Sequence, residues 1–284
     1  MSLIFTEGQV FNVNKKKQPL ISVVMGTYNP REQYIKAAVK SVLAQTFTDF
    51  EFIICNDGSE AEYSNILSAV ESMDNRIRMI HNSHNLGLAA TLNRCLEVAC
   101  GQFIARMDDD DICLPNRFRD QLDFLNNNKE YMFVGSCIDY IDDNSNVWGH
   151  RTVPAFPQRE DFLYNSPYVH PTMMFRREVF ANGDFYSTQK IALRTEDYEL
   201  WMRLYGHGKY GANISKVLLQ YREGEMGYAK RKRLYRLHEM MVRIIGFYEM
   251  GVISKGALYI LKPLLFCILP SFIIRKWRKR SCWT

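Results

Sequence analysis

Four short apolar runs, each followed by apolar residues at helical spacing, constrain this chain more than any other feature. Residues 21–25 (ISVVM), 50–55 (FEFIIC), 77–81 (IRMIH) and 103–107 (FIARM) read as strands. Continuous apolar runs of this length fit strands of a parallel sheet covered on both faces. Between them Ile35, Ala38, Val39, Val42 and Leu43 recur at helical spacing, as do Ile66, Leu67, Val70 and Met73, and then Leu88, Leu92, Cys95, Leu96 and Ala99. The order β-α-β-α-β-α-β predicts an α/β fold with right-handed crossovers and a parallel sheet. At 284 residues and 47 % apolar composition the chain can bury a full core in one large domain or two closely packed halves.

In such a sheet the ligand sits beyond the carboxyl ends of the strands. The residues there are Gly26-Thr27-Tyr28-Asn29, Asn56-Asp57-Gly58-Ser59, His84-Asn85-Leu86-Gly87 and the run Asp108-Asp109-Asp110-Asp111. Taken singly, each is ordinary turn chemistry, and an acidic run is most simply a solvated loop. Four oxygen-rich clusters at one edge argue for a site. Adjacent carboxylates repel unless solvated or sharing a cation, and hard oxygen ligands suit Mg²⁺ or Mn²⁺, which keep open positions for phosphate oxygens. The first strand–helix turn, GTYNPRE, is neither G-x-G-x-x-G nor a Walker loop. A nucleotide bound here would have its phosphates neutralised by a cation on the aspartates.

The second half is less regular. Residues 132–139 and 146–153 read as strands around Asp142-Asp143-Asn144-Ser145-Asn146, a hairpin turn. That turn imitates a calcium loop, but Val147 and Val153 stand where the loop needs Gly and Glu. His170-Pro171 is either a packed imidazole or a further metal contact. Thr195-Glu196-Asp197 reads as a helix start, with a Thr cap and acids facing the helix dipole. Residues 229–250 read as an amphipathic helix with Leu234, Leu237, Met241, Ile244, Ile245 and Tyr248 on one face.

Charge separates the ends. Residues 229–284 hold 13 Lys/Arg against Glu239 and Glu249, a net +11 in a chain of net +5, which leaves −6 for the rest. Residues 257–274 are largely apolar but include Lys262, Pro263 and Pro270, and the longest stretch after Lys262 and Pro263, Leu264 to Ile274, has 11 residues. A spanning helix needs about 20. With Arg275-Lys276-Trp277-Arg278-Lys279-Arg280 behind it, this segment is expected to lie in the interface of an anionic membrane. The seven cysteines lack C-x-x-C spacing and read as free thiols, and the polar, lysine-bearing first 20 residues do not resemble a signal peptide. Both suggest a cytoplasmic protein, peripherally attached to the inner face of the plasma membrane.

Several motifs, in order, resemble glycosyltransferase family 2, the inverting group with the GT-A fold (Rossmann-like, a mostly parallel sheet flanked by helices). ISVVMGTYNP is similar to its opening strand, CNDGSE to its D-D-G-S turn with Asn56 replacing the first acid, and NLGLAATLNRCLEVACGQFIARMDDDDICLPNRF to its longest signature ending in D-x-D. HPTMMFRR and TEDYELWMRL resemble its acceptor-side motifs, and YREGE lacks the His that often follows the Tyr-Arg pair. The resemblance covers about residues 20–222. It implies a nucleotide-sugar-binding half at 20–125 and an acceptor half at 126–225, between an extension at 1–19 and a basic helical region at 226–284.

The resemblance also implies roles. Thr27, Tyr28, Asn29, Asp57, Asn85, Asp108 and Asp109 line the donor nucleotide; Asp108 and Asp110 form the D-x-D pair, with Asp110 the more direct ligand to Mn²⁺ or Mg²⁺. Asp109 takes the variable middle position and Asp111 is expected to matter less. Asp197 is the catalytic base, with Glu196 beside it. The expected reaction adds one hexose or N-acetylhexosamine from a UDP-sugar to a lipid-linked or oligosaccharide acceptor in cell-surface polysaccharide synthesis (O-antigen or capsule). The Q-x-x-R-W motif of processive synthases is missing. A nucleotidyltransferase shares the α/β start and metal aspartates but is expected to carry a Gly-rich, basic first loop. A nucleic-acid-binding module could use the basic tail, but the acidic body and the apolar residues within the tail count against it.

Overall fold

The computed structural model describes residues 18–223 and 233–268. Its first half is the expected alternation: β1 (Ile21–Thr27), α1 (Glu32–Leu43), β2 (Phe50–Asn56), α2 (Ser64–Glu71), β3 (Ile77–His81), α3 (Leu88–Val98) and β4 (Phe103–Arg106). These strands are parallel in the order β3-β2-β1-β4. Strand pleating divides their side chains between two cores. Val23, Met25, Phe52 and Ile54 pack with Ile35, Val39 and Val70 of α1 and α2. Val24, Ile53 and Cys55 pack with Leu92, Cys95 and Leu96 of α3 on the other face. β3 departs from the expectation of full burial. It is the sheet edge, and Arg78 and His81 are exposed there while only Ile77 is buried.

Beyond β4 the sheet continues through elements mostly illegible in the pattern: β5 (Ile112–Cys113), α4 (Arg117–Asn127), β6 (Phe133–Ile141), β7 (Val147–Arg151), β8 (Met174–Arg176), α5 (Glu196–Gly206) and β9 (Gly211–Arg222). β8 pairs antiparallel with β4 and β6, β9 runs parallel to β6, and β5 pairs antiparallel with β9. β6 and β7 form the expected hairpin, whose turn is closed by the Asp142 carboxylate accepting from the backbone N–H of Asn144 and Asn146 at 2.9 and 2.8 Å. Trp201 of α5 is fully buried and stacks on Phe133 and Phe175, with ring centroids 5.5 Å apart in each case. This contact fixes α5, and with it Glu196 and Asp197 one turn earlier.

The chain ends, within the described residues, in α6 (Arg233–Glu249), α7 (Ile253–Ile260) and α8 (Lys262–Ile268). The sequence predicts an apolar face of α6 on Leu234, Leu237, Met241, Ile244, Ile245 and Tyr248, but Leu237, Met241, Ile245 and Tyr248 are exposed and the helix packs by Val242, Arg243, Phe247 and the following Met250. Gly246 decides this. A Cβ there would lie 2.5 Å from the Met202 sulfur, so the glycine lets α6 approach α5 on that side. Arg243 is buried with it, donating to the Leu163 carbonyl at 2.9 Å and paired with Glu239. Residues 257–268 form parts of two short helices, and no helix among the described residues is long and apolar enough to cross a membrane. The basic cluster 275–280 and residues 224–225 of the YREGE motif lie outside the described residues.

Candidate active site

The acid run is a bend held from both ends. β4 stops at Arg106 and β5 begins at Ile112, so Asp108 to Asp111 cross from one strand to another at the carboxyl edge of β1 and β4. Beneath the bend, buried Arg117 donates to the Arg106 carbonyl at 2.7 Å and to the Met173 carbonyl at 3.3 Å, clamping the ends of β4 and β8. Above it, Arg222 at the end of β9 donates its backbone N–H to Asp111 Oδ1 and its Nε to the Asp110 carbonyl, both at 2.8 Å.

Each acid faces a different environment. Asp108 is ion-paired with Arg106, a side chain 2 % exposed whose Nε and Nη1 have no hydrogen-bond partner. Asp109 accepts from the Thr27 hydroxyl at 2.5 Å, joining the run to the end of β1. Asp108, Asp110 and Asp111 each offer an oxygen within 4.8 Å of the others. Burial, and then the Asp108 charge, push the Asp110 carboxyl up to about 7 and Asp111 well above the usual range. Burial raises Asp109 to about 6 despite the Thr27 hydrogen bond. The second oxygen of Asp111 is buried with no partner. Three converging carboxylates under mutual repulsion, one with an orphan oxygen, fit a divalent cation. The sequence reading ranked Asp111 below Asp110; the geometry puts it in the same group.

The first two strand exits are tied together. Asn29, in a left-handed conformation (φ 48°), receives the Glu60 N–H on its side-chain oxygen at 3.0 Å, and its own N–H donates to the Ser59 hydroxyl at 2.9 Å. Tyr28 is 46 % exposed beside it, a ring open to a ligand. Asp57 is buried and holds the loop after β3: its oxygens accept from the Asn82 amide at 2.7 Å and from the N–H groups of Leu86 and Gly87 at 2.8 and 2.9 Å. Asn85 stands exposed in that loop. Gly58 (φ +68°) is required at this crossing, because a Cβ would meet the His84 backbone at 2.4 Å.

α5 begins at Glu196, as expected, but Thr195 does not cap it; its hydroxyl turns back to the Ala192 carbonyl at 3.2 Å. Glu196 is largely buried with one unpartnered oxygen, and burial followed by the Asp197 charge raises its carboxyl. Asp197 is half-buried on the same turn. The residue that relates this turn to the acid run went unnoticed in the sequence. Tyr186 is buried, with its hydroxyl 2.8 Å from His170 Nε2, and it feels the charges of Arg106, Asp197, Asp108 and Glu196 together. Its backbone is fixed to α3 by a reciprocal pair with Asn93, at 3.0 and 2.9 Å. No spacing or motif marks Tyr186.

The same architecture is found among known proteins. The family model described as glycosyl transferase family 2 matches residues 22–183, more than half of the chain. This chain belongs to that family. Among its relatives, the putative glycosyltransferase EpsE of Bacillus subtilis is 30 % identical over 263 residues, covering 92 % of this chain and 94 % of that protein. WfgD of Escherichia coli, named a UDP-Glc:alpha-D-GlcNAc-diphosphoundecaprenol beta-1,3-glucosyltransferase, is 29 % identical over 215 residues, 75 % of this chain and 81 % of that one. The crystal structure of S. aureus TarS 1-349 in complex with UDP-GlcNAc has the same fold at 18 % identity and a TM-score of 0.65, covering 85 % of this chain and 72 % of that one.

In this family 2 glycosyltransferase His170 is packed: its ring meets Trp201 and Tyr186, and burial followed by the Arg106 charge holds it well below the usual range, in the neutral form. It is absent from the carboxylate group among the described residues. A cavity of about 740 Å³ opens elsewhere, between residues 182–192, α5 and α6, and the acid run does not line it.

Proposed function

We propose that this glycosyltransferase moves a single hexose or N-acetylhexosamine from a UDP-sugar to a lipid-linked or oligosaccharide acceptor in cell-surface polysaccharide synthesis. Two carboxylate groups that both lie within electrostatic reach of buried Tyr186 carry the reading: Asp108 of the metal-capable cluster, and Glu196 and Asp197 at the start of α5. A one-step displacement needs both halves. The acceptor oxygen attacks the anomeric carbon as the bond to the diphosphate breaks, and its proton passes to Asp197. Asp197 suits this task better than Glu196, whose burial favours the protonated form. Asp108, Asp110 and Asp111 would hold Mn²⁺ or Mg²⁺, which supplies charge stabilisation for the departing diphosphate. Thr27 and Asp109 close the donor side of the pocket, Tyr28 offers a face to the base, and Asp57 shapes the loop carrying Asn85.

Support for a UDP-sugar comes from the WfgD name and the TarS complex, and support for a lipid-linked acceptor from the WfgD name. The basic end of the chain would hold the enzyme at the inner face of the plasma membrane. No nucleic acid is among the partners proposed. Release of UDP from UDP-Glc, UDP-Gal, UDP-GlcNAc and UDP-GalNAc, with Mn²⁺ and with excess EDTA, tests the donor and the metal together. Undiminished turnover in EDTA would overturn the metal assignment, and no turnover of any UDP-sugar would overturn the donor class.

A further inference from the structure

Helix α6 carries two apolar faces, and only one is used in packing. Val242, Phe247 and the glycine at 246 press against the body. Leu237, Met241, Ile245 and Tyr248 are 46, 44, 41 and 73 % exposed. Steps of four, four and three residues put them on one narrow stripe, about 16 Å long at the helical rise of about 1.5 Å per residue. Glu249 lies off the stripe, its Cβ and backbone beside Gly206 of α5. Glu239 is mostly buried and paired with Arg243. Leu258 and Leu265 in the two following helices are exposed as well, at 83 and 60 %.

We infer that this stripe of α6 is a docking face for an anionic lipid bilayer, lying flat in the headgroup region. The charge of the surrounding sequence identifies the occupant. The stripe is bracketed in sequence by cations, Lys230 to Arg233 before it and Arg275 to Arg280 behind it, within a stretch of net +11. A second copy would bring two segments of this net charge together, and like charges repel; an anionic bilayer complements both the charge of the segment and the apolar stripe. A helix of 17 residues, short of the about 20 that a span needs and packed on the body by its other face, lies on a membrane and does not cross it. The inference moves the contact from the extreme tail onto the folded body, and it is independent of the transfer reaction.

The experiment is co-sedimentation of the full chain with phosphatidylcholine vesicles, with and without phosphatidylglycerol. Its comparison is a variant carrying Leu237→Ser, Met241→Ser, Ile245→Ser and Tyr248→Ser with the basic end intact. The expected result is at least a tenfold drop in partitioning onto the anionic vesicles, with the melting temperature and UDP release from soluble substrates unchanged. Should the variant fold poorly, Met241→Cys carrying an environment-sensitive dye reports instead, with a blue shift expected on anionic vesicles. Equal partitioning of variant and parent, or no dye shift on bound vesicles, overturns the inference. So does a parent that light scattering shows to be a dimer and the variant a monomer, which assigns the stripe to a second copy. Vesicle binding without UDP-sugar turnover would leave the inference standing and sink the proposed function.

Discussion

The Arg222 backbone N–H donates to Asp111 Oδ1 at 2.8 Å, so the last residue of β9 holds the last acid of a run more than a hundred positions earlier. The other Asp111 oxygen is buried without a partner, within reach of Asp108 and Asp110. Asp111 therefore joins the metal-capable group. We predict that Asp111→Asn weakens Mn²⁺ binding by roughly 10- to 100-fold or more, the scale seen when even an outer partner of a metal site is lost. Asp110→Ala should do at least as much, and Asp109→Asn less. Mn²⁺ titration followed by electron paramagnetic resonance reads this without substrate. Equal Mn²⁺ affinity in parent and Asp111→Asn would return Asp111 to a purely structural role.

The base assignment separates two neighbours. Asp197→Asn should lower turnover by ~10²–10⁴-fold, the usual cost of losing a general base, while UDP-sugar affinity holds. Glu196→Gln should keep most turnover, because its buried carboxyl already favours the neutral form. Single-turnover kinetics with donor binding measured separately decide it, and the reverse pattern would exchange the two roles.

Tyr186→Phe removes the hydroxyl that meets His170 Nε2 and leaves a neutral, buried ring nitrogen unpartnered. The expected loss is about 1–3 kcal/mol of stability, the cost of an unsatisfied buried polar group. Urea unfolding measures it, and His170→Phe in the Tyr186→Phe background should recover part of the loss. A single variant as stable as the parent would show that this pair contributes little.

Stability should depend on pH through the acid run. Burial and the Asp108 charge raise the Asp110 carboxyl in the folded chain from 3.8 to about 7. An acid raised by folding contributes stability that is fully present below its unfolded value and lost as pH rises through the folded one. The melting temperature in EDTA should therefore fall between pH 4 and about 7 relative to Asp110→Asn, and Mn²⁺ should reverse the loss at the upper end. Parallel melting curves for parent and Asp110→Asn across that window would contradict the assignment.

What the sequence determined by itself was periodic or contiguous. The alternation over residues 21–107 marked the strands, the helices and the parallel direction of the strands because burial imposes its period on the residues themselves. The four oxygen-rich turns were visible because a parallel sheet sends every strand exit to the same edge. Tertiary structure decided what depends on distant partners. β5 is two residues long and exists only because β9 pairs with it. Tyr186 bears on both carboxylate groups because its segment is fixed to α3 through Asn93. The face by which α6 packs could not be read from its composition, since both sides are apolar. The close approach at Gly246 chose one of them, and left the other exposed.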